Sequence, residues 1–166
     1  MSDRFTINDK TISRLNWIGV RPARNLGMVE LDRAEVRIGR GLVGDRYGKV
    51  APKSGVNNGK REVTLITMEA IQIIAAHLRV IDGRDLYPYT RRNLVVEGVD
   101  LVEFIGKRFS IGEVEFEGTG ECEPCVRMNL ALGRGGFAAM RGLGGLTARV
   151  IQPGYLRIGE TVAQKL

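Results

Sequence analysis

The stretch Gly118-Thr119-Gly120-Glu121-Cys122-Glu123-Pro124-Cys125-Val126-Arg127-Met128-Asn129 holds both cysteines of the 166-residue chain. Pro124 suits the first position of a helix, where its missing N–H costs nothing. The stretch therefore predicts a helix start at Pro124 and a short helix over 125–131, ending at Gly133. Cys125 would lie in its first turn, facing unpaired backbone N–H groups and the positive end of the helix dipole. That environment favours a thiolate, the form that attacks electrophiles and binds soft metals. A free cysteine can also be a small buried hydrophobe, and that reading stands beside the reactive one. Cys122 completes a Cys-x-x-Cys turn. It is a resolving thiol, half of a reversible protecting disulfide, or a coincidence. No parallel βαβ setting is expected around it, which argues against a thioredoxin-type oxidoreductase.

The elements that must position this turn read mostly as strands. Val114 and Phe116 alternate with Glu113, Glu115 and Glu117, the period-two pattern of a strand with one buried face. Further strands are expected over 12–20, 26–31, 34–38, 61–66, 93–96, 108–111, 148–151 and 156–158, with 161–162 closing the sheet. Gly39 to Gly48 is too glycine-rich for a plain strand interior, 49–60 reads as a long mobile polar loop, and 1–10 as a loose end. One helix stands out over about 68–79. Thr67 suits the N-cap, and Ile71, Ile74, Ala75 and Leu78 form an apolar stripe at i, i+3, i+4 and i+7. His77 lies beside that stripe and reads as a partly exposed helix residue. Residues 81–91 form a turn-rich link, and Phe137 to Arg141 a second helical turn. Many short strands with one good helix imply a mainly β (α+β) chain, a barrel-like domain with helical insertions.

Composition limits the partners. Hydrophobic residues make up 43% and charged residues 27% of the chain, values that suit one globular domain over 1–166. There are 22 glycines, consistent with many tight turns. No apolar run reaches a membrane span, and the N-terminus lacks a secretory pattern, so a cytoplasmic protein is expected. The formal net charge is +6, yet Lys and Arg are dispersed. A small phosphorylated anion fits that charge better than nucleic acid does. With His77 as the only histidine, two cysteines do not complete a zinc site within one chain. Arg134, Arg141 and Arg149 stand among Gly133, Gly135, Gly136, Gly142, Gly144 and Gly145, forming either a second anion-binding loop or a solvated one.

Several motifs in order make the chain resemble the small stand-alone MOSC domain, named for the C-terminal domain of molybdenum cofactor sulfurase. They are Gly41-Leu42-Val43-Gly44-Asp45-Arg46, Arg61-Glu62-Val63-Thr64-Leu65-Ile66 with Glu69, and Arg91-Arg92-Asn93-Leu94. Gly98-Val99-Asp100-Leu101, Gly106-Lys107-Arg108-Phe109-Ser110-Ile111-Gly112, Pro124-Cys125 and Gly159-Glu160-Thr161-Val162 follow. The resemblance spans about 12–162. It implies a β-barrel in which Cys125 ligates molybdenum in the pterin cofactor or carries sulfur as a persulfide. The matching reactions are reduction of N-hydroxylated compounds, with electrons from a partner protein, and sulfur transfer from a sulfur-donor protein. Arg46, Arg61, Arg92 and Asn93 are family-type polar positions that would converge on Cys125, with Arg141 and Arg149 as further cofactor contacts. Each has a structural alternative: Asp45 and Arg46 can pair or cap a turn, and Asn93 can bond backbone. Pyridoxal phosphate belongs to the family's larger members, and no domain for it is expected in this chain. Two readings from other classes remain open: a non-catalytic module that binds anions, and a thiol–disulfide switch through Cys122 and Cys125.

Overall fold

The computed structural model describes residues 12–46 and 59–165. The expected loose segment over 1–10, nearly all of the loop expected over 49–60, and Tyr47 lie outside them. Among the described residues, β1 (Arg14–Val20), β2 (Val29–Leu31), β5 (Val63–Thr67), β6 (Leu94–Glu97), β7 (Arg108–Ile111), β8 (Val114–Glu121), β9 (Leu146–Gln152) and β11 (Val162–Gln164) build one sheet. Its order is β11-β7-β8-β9-β5-β6-β1-β2. A smaller sheet has the order β10-β3-β4, from β3 (Arg33–Arg37), β4 (Gly41–Leu42) and β10 (Gly154–Arg157). The mainly β, α+β class therefore holds.

The expected barrel does not close. One edge of β1 is already taken at Ile18–Val20 by β2, so the segment before β11 meets only the start of β1, through one bridge from Arg14 to Thr161 and backbone hydrogen bonds at Ser13 and Leu15. Two open sheets result. Gly41–Leu42, inside the segment expected to be too glycine-rich for a plain strand interior, pairs as a two-residue strand against β3, and Gly154 pairs there as well. The strands pair antiparallel with one exception, β5 beside β6. Helix α1 (Met68–Leu78) makes the crossover between these two, so the chain does contain one βαβ unit, with the Cys turn outside it.

Both strands of that unit are buried on two faces, as parallel strands under a helix must be. Leu65, Leu94 and Val96 join Leu15, Phe109 and Phe116 in one apolar cluster, while Ile66 and Val95 join Trp17, Ile71, Ile74 and Met128 in a second. The sheet thus separates a strand-side core from a helix-side core. Helix α1 forms as its sequence predicts. The Thr67 hydroxyl accepts the Ala70 N–H at 3.0 Å, Ile71, Ile74 and Ala75 are buried, and Arg79 ends the helix in the left-handed region. Of the alternating β8 residues, Val114 and Phe116 are fully buried, but Glu115 is nearly so. Lys165 Nζ donates to its carboxylate at 2.9 Å.

Candidate functional site

Three strands terminate on one rung of the large sheet. Glu121, the last residue of β8, pairs with Leu146, the first of β9. Leu146 pairs with Leu65, and Leu65 with Leu94, the first of β6. The segments that leave the sheet there are Cys122–Cys125, Gly144-Gly145 and Arg91-Arg92-Asn93, residues far apart in sequence. A bulge between Gly118 and Gly120 shifts the β8 register just before the turn, which re-aims its end as bulges do.

The turn differs from its prediction in one respect. Pro124 and Cys125 precede the helix: α2 runs Met128–Leu132, and the Met128 N–H donates to the Cys125 carbonyl at 2.9 Å. Cys125 is therefore not held in a first helical turn, and the cations around it are the guanidinium groups that line its cavity. The second expected helical turn is α3, Gly136–Met140. The two cysteines take opposite environments. Cys122 is 1% exposed, whereas Cys125 is exposed, and both are free thiols.

Each cysteine lines a different cavity. Cys125 borders one of about 250 Å³ lined by six arginines (Arg21, Arg46, Arg61, Arg91, Arg92 and Arg127) against three carboxylates (Asp45, Glu62 and Glu123). Thr64, Asn93 and Met128 complete much of its wall. The excess of guanidinium groups makes this a place for an anion. Cys122 borders a larger cavity of about 400 Å³ between the turn, α1 and the 137–145 segment, lined by Phe137, Leu143, Leu101 and Arg141 among others. Glu123 lines both, so the turn is the wall between them.

Local bonding explains why these residues meet. The Arg21 N–H donates to Asp45 Oδ1 at 2.8 Å and the Arg46 N–H to the Arg21 carbonyl at 2.8 Å, which fastens the Gly44–Arg46 segment to the end of β1. Asn93 bonds protein on every side. Its Oδ1 accepts the Thr64 N–H at 3.1 Å and hydroxyl at 3.2 Å, and its Nδ2 donates to the Gly19 carbonyl at 3.1 Å. This is the backbone-bonding alternative for a residue at a strand start. Arg92 is 2% exposed, and its donors also go to backbone: Nε to Gly144 O at 2.7 Å, Nη2 to Cys122 O at 3.1 Å and Nη1 to Thr90 O at 3.2 Å. Burial lowers its pKa, the two thiols act in the opposite sense, and Arg61 and Arg91 add to the drop. Arginine nevertheless keeps its charge.

Of the residues singled out from sequence, Arg46, Arg61, Arg92 and Asn93 lie with Cys125 in the basic cavity. Arg141 lies across the turn in the larger one, 5.7 Å from the Phe137 ring centroid. Arg149 is on β9, where its Nη2 pairs with Glu117 at 2.9 Å, and it lines neither cavity. The glycine-rich segment is used for close packing. A Cβ at Gly144 would stand 2.0 Å from the Cys122 carbonyl oxygen, and one at Gly145 would stand 1.8 Å from that of Leu65. The Cys122 N–H donates to the Gly145 carbonyl at 2.8 Å. Arg21, Arg91 and Arg127 line the basic cavity without having been singled out. Arg91 carried the one signal available, its place in the Arg-Arg-Asn motif, and among the described residues it is one of few non-glycine residues with positive φ, at 60°. Such backbone conformations gather at functional sites.

Comparison with known proteins fits this geometry. By fold the chain is similar to the YuaD protein from Bacillus subtilis, with a TM-score of 0.77 and 18% identity over 90% of this chain and 93% of that one. It is also similar to YiiM from Escherichia coli, with a TM-score of 0.66 and 17% identity over 92% and 70% of the two chains. YiiM from Geobacillus stearothermophilus gives 0.66 and 13% over 93% and 75%. No curated protein sequence matches the chain. The MOSC domain model matches residues 27–163, a slightly later start than the 12–162 expected from the motifs. With that match over most of its length, the chain belongs to the MOSC domain family, which is associated with molybdenum cofactor binding and sulfur chemistry.

Proposed function

We propose that the Cys125 cavity holds the molybdenum cofactor, with its arginines other than the carbonyl-bound Arg92 on the phosphate and polar ring and the Cys125 thiolate as the protein's sulfur ligand to the metal. The observation that carries this reading is an exposed thiol opening onto a cavity lined by six arginines. The donor set fits such a group. Thiolate is a soft, polarizable ligand for a metal that arrives with other sulfur ligands, and guanidinium forks bind phosphate in two-point fashion. Among the described residues no cluster of three His, Cys, Asp or Glu side chains is arranged for a metal, and in this reading Cys125 is the protein's ligand. When bound, the group would supply two-electron chemistry toward N-hydroxylated compounds, with electrons from a partner protein. The chain's residues would hold its anionic part and shape the approach from solvent.

A second use of the same atom is favoured by its exposure: carriage of sulfane sulfur. A donor protein's persulfide would transfer its outer sulfur to Cys125 Sγ. The donor S–S bond breaks, a new S–S bond forms on Cys125, and the donor leaves as a thiolate. One experiment separates the two. Protein purified from a host that makes molybdopterin should contain close to one molybdenum per chain, and Cys125→Ser should lose it. Metal-free protein with persulfide on Cys125 selects sulfur carriage, and neither metal nor persulfide in any preparation refutes both.

A further inference from the structure

Two thiols in a Cys-x-x-Cys turn ordinarily react with each other whenever one of them becomes electrophilic, because attack needs only a short local movement. A sulfur atom carried on Cys125 would make it so. The Cys122 thiolate would attack Cys125 Sγ, forming a Cys122–Cys125 disulfide. The bond from Cys125 Sγ to the outer sulfur would break, and that sulfur would leave with the electron pair as hydrosulfide. No outside oxidant is consumed, and the carried sulfur is lost.

The structure holds the turn against this outcome. Cys122 is fastened at both peptide groups, its N–H to Gly145 O at 2.8 Å and its carbonyl to Arg92 Nη2 at 3.1 Å. Its side chain is buried against the larger cavity, while Cys125 opens to the basic one. Arg92 ties three segments with one planar group, and three of its five N–H donors are committed to carbonyls. Releasing the Cys122 carbonyl would leave a buried cation short of an acceptor, which opposes any swing of Cys122 toward Cys125. Gly144 makes the arrangement possible, since any side chain there would meet the same Cys122 oxygen that Arg92 binds.

We propose that Arg92 is a positioning residue whose grip on the Cys122 and Gly144 carbonyls withholds Cys122 as a resolving thiol, so that sulfur borne by Cys125 is not discharged. The proposal rests on Cys125 as the sulfur-bearing residue. Lysine at 92 keeps the charge but lacks the planar fork that reaches three carbonyls.

The test uses reduced wild-type protein, Arg92→Lys and Arg92→Lys with Cys122→Ser. Each is treated with glutathione persulfide, freed of excess reagent, and followed by hydrosulfide release and intact mass. Wild type should stay one sulfur atom heavier. Arg92→Lys should release hydrosulfide on the order of tenfold faster, the factor expected when about one hydrogen bond no longer holds the closed turn. The double variant should again keep its sulfur, which assigns the loss to Cys122. Iodoacetamide should label only Cys125 in native wild type, and both cysteines in Arg92→Lys with an unchanged far-ultraviolet circular dichroism spectrum. The proposal is overturned if Arg92→Lys keeps both its sulfur and its Cys122 protection, or if wild type discharges as fast as the variant. Rapid labelling of Cys122 in native wild type would also overturn it, without recourse to any variant. Failure of wild-type Cys125 to take up sulfur would refute the carrier reading, and Cys122 labelling would still decide the role of Arg92.

Discussion

At the scale of single residues, charge and burial are set against each other around the basic cavity. Glu62 lines it, and its pKa is raised by burial, partly offset by the N–H groups of Val150 and Gly39 and by Arg149. The folded state therefore binds this proton more tightly than the unfolded chain does. From the ordinary value of 4.5 up through the raised one, the folded state carries more protons, so stability from this group is full below that window and falls as pH rises. Glu62→Gln removes that dependence while keeping an oxygen for the Val150 N–H, which donates at 2.6 Å. Urea midpoints measured from pH 4 to pH 8 should fall less steeply with pH for the variant than for wild type (roughly the window set by ordinary carboxylate values), and parallel curves would contradict the burial account. Arg46 and Arg92 mark a second contrast. Both were expected as cofactor contacts from the family motifs, yet only the structure shows the Arg92 fork committed to backbone carbonyls.

Among the elements, those with strong local signals needed little tertiary help. The Thr67 cap and the apolar stripe of α1 lie within one stretch of chain, so both were visible in advance. Thr67→Ala removes the acceptor for the Ala70 N–H and should cost about 1 kcal/mol of unfolding free energy, measured by denaturant titration. The start of the helix after the cysteines was placed three to four residues too early because proline marks a permissible helix start without compelling one. Gly144 and Gly145 were read as either flexible or phosphate-binding, whereas their role depends on what lies across the sheet end. Gly145 has φ of 94° and a neighbouring carbonyl where a Cβ would go. Gly145→Ala should therefore lower stability by more than the roughly 1 kcal/mol ordinarily assigned to a helix or strand glycine, and should expose Cys122 to alkylation. Wild-type stability with Cys122 still protected would show that the loop relaxes without disturbing the turn.

Over the whole molecule, the formal charge of +6 gathers an excess of arginine at one cavity, although sequence shows only dispersed basic residues. Inorganic pyrophosphate, a simple stand-in for a phosphate-bearing ligand, should bind wild type more tightly than Arg46→Ala. Its affinity should weaken from low to physiological salt as screening sets in. Calorimetric titration at two ionic strengths checks both expectations, and affinity indifferent to salt would argue against an electrostatic site. Among the described residues no helix is long and apolar enough to cross a membrane.

Sequence alone determined the family motifs, the sheet-dominated class and α1 with its cap, and it singled out Cys125 as the candidate, because each is written in short-range spacing or residue type. Tertiary structure decided that the sheets stay open, that one βαβ unit lies at their centre, and that the two cysteines face different cavities. It also decided which arginines meet Cys125 and which serve elsewhere. Those outcomes depend on strand register: one rung joins Glu121, Leu146, Leu65 and Leu94. Pairings between residues tens of positions apart leave no periodic trace in a single chain, so the wall between the two cavities becomes visible only once the strands are aligned.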